Sequence, residues 1–325
     1  MTDQPVTDGA GPGRRLIVVA GPTATGKTDL AFSVAERLAE RAAADTPGAT
    51  GAEIINADSM QLYRGMDIGT AKTPPAERRG IPHLLFDVLD VTETASVAAY
   101  QRDARAAVAA VLARGRIPLL VGGSGLYIQA VVDDIAFPPT DPDVRAGLEL
   151  ELAETGVEAL FTRLDAADPT AATVIGPHNG RRIVRALEVI ELTGRPFSAT
   201  LPRPGRPRFD ARLVRVDRPN TVLDDRIERR VRRMVDEGFL DEVRALDTRG
   251  LRRGVTASRA LGYAQMLAVL EGRSDLETAV VTTAAATRRF VRRQRSWFAR
   301  DHRLVDVDPE DPQAVERVLG LIDES

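Results

Sequence analysis

Residues 16–38 leave this chain little choice about how its fold begins. Leu16-Ile17-Val18-Val19-Ala20 is an unbroken apolar run, the pattern of a strand buried on both faces. It stops at Gly21, and Gly21-Pro22-Thr23-Ala24-Thr25-Gly26-Lys27-Thr28 fits G-x-x-x-x-G-K-S/T, a loop whose backbone N–H groups cradle phosphates. Leu30, Ala31, Val34 and Leu38 then recur at helical spacing. Strand, glycine loop and helix in that order aim a helix N-terminus at an anion.

Further strands are expected at 53–57, 84–86, 118–121 and 213–216, with a loop at 43–51. Ser96 can cap a helix whose inner face carries Val97, Tyr100, Ala104, Val108, Val111 and Leu112, with Gly115 as its stop. Strands alternating with helices predict an α/β fold, a P-loop NTPase-like parallel sheet flanked by helices. Loops at the carboxyl ends of such strands converge on one edge, which would gather the glycine loop, Asp58 and Ser124. Phe137-Pro138-Pro139 and Asp141-Pro142 read as a hinge, 144–192 as helical, and 202–207 as a second break. Three long helices are expected at about 221–246, 256–271 and 275–300. The resulting domain reading is a disordered leader (1–14), an α/β core with C-terminal helices (15–138 and 208–325) and a helical insertion (139–207).

Composition narrows the chemistry. Of 44 Lys and Arg residues only Lys27 and Lys72 are lysines, and both lie in segments that read as functional. Lysine is a compact point charge that fits among phosphate oxygens, whereas arginine is a planar fork. Chance in an arginine-rich chain is the competing explanation, and it applies to Lys72 more than to Lys27. The absence of cysteine excludes a disulfide framework, a thiolate nucleophile and a zinc–thiolate site, and fits a cytoplasmic protein. No apolar run approaches the ~18 residues of a membrane span, and 1–14 lacks the apolar region of a secretory signal. The formal net charge of −3 argues weakly against nucleic acid. The charge is segregated, however: 226–233 holds five arginines and 288–303 holds seven. Local patches of this kind govern attraction to phosphate.

The glycine loop and its helix would take a di- or triphosphate, with Lys27 neutralising it and Thr28 holding a bridging Mg2+. That describes one end of a ligand. Asp58, at a strand exit, can ligate magnesium or accept a proton, and is equally suited to cap a helix. Asp87, after another apolar run, competes for the carboxylate role beside the metal. A P-loop kinase of a nucleoside or small metabolite would satisfy these features, and a non-enzymatic RNA-binding ATPase-like module would satisfy most of them.

Longer motifs separate the readings. Asp58 to Lys72 matches D-S-x-x-x-Y-x-G-M-D-I-G-T-A-K, and Val121 to Tyr127 matches V-G-G-T-x-L-Y with Ser124 in place of threonine. Arg185 to Val189 reads R-A-L-E-V, Thr193 to Ser198 fits T-G-x-P-x-S with Arg195 and Pro196 inside, and Arg226 to Val231 fits R-I-x-x-R-V. Gly262-Tyr263 follows, and Thr287 to Phe298 matches T-R-x-x-x-K-R-Q-x-x-W-F with Arg292 in place of lysine. In these motifs and their order the chain resembles the bacterial tRNA dimethylallyltransferase (tRNA isopentenyltransferase) family. It departs from that pattern at Thr25, where serine is common, and at Pro82-His83-Leu84-Leu85, which lacks a second histidine.

The resemblance implies transfer of a dimethylallyl group from dimethylallyl diphosphate to the exocyclic amine of the adenosine 3′-adjacent to the anticodon in tRNA, releasing diphosphate. A cytoplasmic protein that uses Mg2+ and works as a monomer is the expectation. Asp58, Ser124 and Arg145 would act at the reacting groups. Gly21, Pro22, Thr23, Ala24, Thr25, Gly26, Lys27 and Thr28, with Arg226 and Arg230, would bind diphosphate or nucleotide, and Thr28 the metal. Asp58, Ser59, Met60, Gln61, Ser124, Arg145, Arg181, Arg182 and Arg185 would contact tRNA. A stacked purine must be extruded before its amine can react. Arg288, Arg289, Arg292, Arg293 and Arg295, interleaved with aromatics, offer a second RNA surface, in which Trp297 and Phe298 are expected to pack the helix.

Overall fold

The computed structural model describes residues 15–45, 51–200 and 207–323. The expected leader, most of the 43–51 loop and most of the second break lie outside them. The elements run β1 (Ile17–Ala20), α1 (Lys27–Asp45), β2 (Ala52–Asn56), β3 (His83–Leu84), α2 (Val97–Ala113), β4 (Ile117–Gly122), α3 (Gly125–Val132), α4 (Pro142–Thr155), α5 (Val157–Ala167), α6 (Pro169–Ile175) and α7 (Gly180–Thr193). They continue with β5 (Arg212–Val216), α8 (Asn220–Asp236), α9 (Phe239–Thr248), α10 (Tyr263–Leu270), α11 (Leu276–Phe298), β6 (Leu304–Val307) and α12 (Ala314–Asp323).

Six strands form one parallel sheet in the order β3-β2-β4-β1-β5-β6. β1 is central, which is why its residues are apolar without alternation: each face meets a helical layer. Val18 and Ala20 pack with Tyr100, Ala104 and Val108 of α2 and Ile128 and Val131 of α3. Ile17 and Val19 pack with Ala31 and Val34 of α1 and Val318 and Leu319 of α12. Beyond this three-layer core, Leu223, Ile227 and Val231 of α8 meet Val280, Ala284 and Val291 of α11.

Two close approaches shape the carboxyl edge of the sheet. A Cβ on Gly21 would lie 2.1 Å from the Val216 carbonyl oxygen, so only glycine lets β1 turn off there. A Cβ on Gly122 would lie 2.2 Å from the carbonyl oxygen of Ala57, so the exits of β4 and β2 nearly touch. The glycine loop, Asp58 and Ser124 therefore start from three neighbouring strand ends.

Several expected elements differ. α1 runs to Asp45 and takes the start of the expected loop. The third strand is only His83–Leu84, because Leu85 and Asp87 adopt positive φ and the chain turns away. The long helix expected at 221–246 is broken at Gly238 (φ 97°), giving α8 and α9. The helix expected from 256 begins at Tyr263, after a short 3-10 turn. β6 and α12 complete the sheet and one layer from a segment that carries too many charges to read as core.

Residues 133–205 form a separate compact unit. Its four helices break at Gly156, Asp168 and Gly176, and pack through Leu148, Leu160, Leu164, Ile183 and Leu187.

Candidate active site

The glycine loop is held open by cations reaching its carbonyls. Arg226 Nε donates to Ala24 O at 2.9 Å, Arg218 Nε to Thr25 O at 2.8 Å, and Lys27 Nζ to Pro22 O at 2.5 Å. Thr25 Oγ1 also donates to Pro22 O (2.9 Å). Gln294 ties the loop to the exit of β4: its Oε1 accepts from Thr23 N (3.1 Å) and its Nε2 donates to Gly123 O (2.8 Å). Arg218 and Gln294 are additions to the expected set. The signal for Gln294 was present, as the glutamine of the last motif; that for Arg218 was only its place just past a strand end.

A cavity of about 200 Å³ opens over this loop, with Gly26, Lys27, Thr28, Asp58, Arg226 and Arg230 in its wall. Burial pulls the Lys27 ammonium down to about 8, with nearby Asp58 pulling it up and Arg230 pushing it further down. Burial likewise lowers Arg230, against the pull of Asp58 and with a push from Arg226. Cations desolvated side by side are costly without an anion, so the recess calls for a polyanion.

Asp58 sits at the exit of β2, fixed from both sides. Its N–H donates to Asn56 Oδ1 (2.8 Å), and its Oδ1 accepts from Met60 N (2.9 Å). No helix follows, so the capping alternative fails: the carboxylate closes a short turn and faces the cavity. Among the described residues its Oδ2 has no hydrogen-bond partner. Ser124 Oγ accepts from Ser59 N at 3.4 Å.

Asp58, Thr23 and Arg230 also border a second cavity, of about 330 Å³, whose wall includes Ser124, Met60, Ile227, Met234, Tyr263 and Phe290. A cationic recess and a largely apolar one thus meet at a single carboxylate. Arg230 spans the junction, donating to Thr23 Oγ1 (3.3 Å) and Thr70 O (3.4 Å); Gln61 Nε2 donates to the same Thr70 carbonyl (3.1 Å). That carbonyl is placed by Glu242, a residue the sequence did not single out. Its carboxylate accepts from Asp67 N (3.0 Å), Ile68 N (2.6 Å), Gly69 N (3.2 Å) and the Tyr263 hydroxyl (2.6 Å).

Other candidates lie elsewhere. Lys72, 6% exposed, donates to Tyr63 O (2.8 Å), Asp67 (2.7 Å) and Asp87 (2.7 Å). Neither Lys72 nor Asp87 lines either cavity, so Asp87 does not take the metal-side role. His83 does line the loop cavity; burial lowers its pKa, and its Nδ1 lies 2.7 Å from Ile81 O. In the 133–205 unit, Arg145 Nη2 and Arg185 Nη1 meet the fully buried Glu188 at 2.5 and 2.8 Å, and Arg185 also holds Pro138 O and Pro139 O. Burial pushes Glu188 up, but these arginine bonds outweigh it and leave the pKa lowered. Arg181 and Arg182 are exposed on the first turn of α7. Of the C-terminal cluster, Arg288 pairs with Glu228 and Arg295 with Asp217, while Phe298 is buried and Trp297 is not.

Thr28 is exposed and lines the loop cavity together with Asp58. Among the described residues no three His, Asp or Glu side chains gather to hold a metal by protein alone. A hydroxyl, a carboxylate and open room suit Mg2+, which keeps several waters and binds mainly through substrate phosphates.

A family model described as IPP transferase matches residues 61–301. A tRNA dimethylallyltransferase of Nocardia farcinica is 57% identical over 94% of this chain and 94% of its own length. The crystal structure of a tRNA isopentenylpyrophosphate transferase from Bacillus halodurans superposes with a TM-score of 0.68 at 37% identity, covering 95% of this chain and 97% of that one. A eukaryotic dimethylallyltransferase, solved acting on tRNA, gives a TM-score of 0.76 at 26% identity, covering 94% and 78%.

Proposed function

Since this chain belongs to the IPP transferase family, we propose that it transfers a dimethylallyl group from dimethylallyl diphosphate to the exocyclic amine of the adenosine 3′-adjacent to the anticodon in tRNA. The observation that carries the reading is the meeting of two unlike cavities at Asp58. The cationic one suits the diphosphate, and the apolar one has room for a prenyl group and a purine edge.

The amine nitrogen attacks the allylic carbon, the carbon–oxygen bond to diphosphate breaks, and the diphosphate leaves with the electron pair. The amine proton passes to Asp58, whose free Oδ2 has no competing partner. Such proton acceptance contributes roughly 10²–10⁴ in rate. Lys27, Arg226 and Arg230 stabilise the charge growing on the leaving group, and the loop N–H groups add to them. Bound Mg2+, held by Thr28 and the diphosphate oxygens, would add further positive charge there. Ser124, beside Asp58, would orient the purine. Arg181 and Arg182, with Arg145 and Arg185 held by Glu188, would contact the RNA backbone. All these groups belong to one chain, so the reading asks for no second subunit, and tRNA as acceptor fits a cytoplasmic reaction.

The test is labelled dimethylallyl diphosphate with unmodified tRNA. Label should move to RNA with release of one diphosphate. Phosphate release from ATP without prenyl transfer would instead favour the kinase reading.

A further inference from the structure

We propose that Trp297 is a stacking platform for an unpaired base of the RNA, beside the mouth of the cavity that holds Asp58 and Ser124. The proposal rests on the reading of RNA as acceptor and names a contact that reading does not contain.

Trp297 is the only tryptophan in the chain, and 38% of it is exposed. Its neighbour Phe298, by contrast, is buried. The position of the ring is nevertheless well defined. A Cβ built on Gly125 would lie 2.2 Å from Cδ1, 2.4 Å from Nε1 and 2.8 Å from Cγ of Trp297. Three ring atoms at such similar distances place that Cβ over the face of the pyrrole ring, not off its edge. One face of the indole therefore lies against the bare backbone of Gly125, which only glycine permits. A ring held on one side, with more than a third of the residue still reached by solvent, is pre-organised to receive a second flat group there.

Its location points to a base near the reacting purine. Gly125 directly follows Ser124, which lines the second cavity. On α11, Phe290, Arg293 and Trp297 are spaced i, i+3 and i+7 and so share one face. Phe290 and Arg293 line the same cavity, with the Arg293 guanidinium 5.7 Å from the Phe290 ring centre. An aromatic and cationic track thus leads from the cavity to the indole.

Charge favours RNA as the occupant. Arg292, Arg293 and Arg300 are exposed and have no acidic partner among the described residues, in contrast to Arg288 and Arg295 on the same helix. Aromatic faces interleaved with unpaired arginines are the arrangement that binds single-stranded nucleic acid, the bases stacking and the arginines meeting phosphates.

Because Trp297 is the sole indole, its emission reports the contact directly. Titrating the full chain with unmodified tRNA should quench that emission, whereas inorganic diphosphate alone should not. Trp297→Leu, which keeps apolar bulk on Gly125 but removes the π face, should weaken tRNA binding by about 5- to 150-fold. Trp297→Phe should recover most of the loss, and diphosphate affinity should stay the same in both variants. Three results would overturn the platform: unchanged emission while tRNA binds and is prenylated, a leucine variant as good as wild type, or loss of diphosphate binding in both variants, which marks a packing role. In each the acceptor reading survives; that reading fails separately, if the wild-type chain transfers no prenyl group to tRNA.

Discussion

Raising the pH should weaken diphosphate binding through Lys27, and the size of the effect follows from its surroundings. Burial holds this ammonium at about 8, against an ordinary value of 10.5, after Asp58 and Arg230 have pulled in opposite directions. The difference corresponds to a penalty on the charged form on the order of 3 kcal/mol. With the folded value below the unfolded one, the penalty is fully present below about pH 8 and is relieved as pH rises toward 10.5. A bound diphosphate reverses the balance, since it favours the charged amine. Above pH 8 each binding event must therefore take up a proton, and Kd should rise about tenfold between pH 7 and pH 9. Calorimetric titration with diphosphate in buffers of different ionisation enthalpy counts that proton. Lys27→Met serves as the control, because the ionisation of diphosphate itself is common to both proteins and cancels in the ratio of their affinities. A ratio that stays flat from pH 7 to 9, or a proton count near zero at pH 8.5, would refute the reasoning.

Asp58→Asn can keep the Met60 N–H contact through its amide oxygen, so it should lower prenyl transfer roughly 10²–10⁴-fold in single-turnover assays while tRNA binding by filter retention stays the same. Glu242→Gln cannot accept from all of Asp67 N, Ile68 N, Gly69 N and the Tyr263 hydroxyl; it should cost about 2–4 kcal/mol in urea unfolding and raise the donor KM as Thr70 and Arg230 lose their register. Lys72→Met should reduce stability by about 1–3 kcal/mol with kcat retained, since Asp67 and Asp87 can turn to solvent and neither cavity is touched; a large loss of kcat at full stability would return Lys72 to the chemistry. Binding of tRNA should fall steeply with salt on a log–log plot, and that of diphosphate less so; equal slopes would remove the arginine surfaces from RNA contact.

What the sequence made legible is what local rules govern. The strand before Gly21, the loop itself and the capped helix after Ser96 were readable because each is fixed within a few residues by burial, backbone sterics or a capping hydroxyl. The convergence of Asp58 and Ser124 on the loop was readable too, because parallel strands put their exits on one edge. The residues that set the finer geometry were not. Glu242 gathers three N–H groups some 170 positions away in the chain, and in sequence it is one more acidic residue on an amphipathic helix. The Lys72–Asp87 pair shows the converse difficulty. A rare lysine and an aspartate after an apolar run each resembled site chemistry, yet they neutralise one another below the loop that Glu242 holds. Rarity and position marked both as important without saying whether the importance was chemical or structural. Only the partner on the other side of the hydrogen bond distinguishes the two. Lys27, whose charge has no carboxylate in hydrogen-bond contact among the described residues, awaits an anion from outside, whereas Lys72 already has two from within.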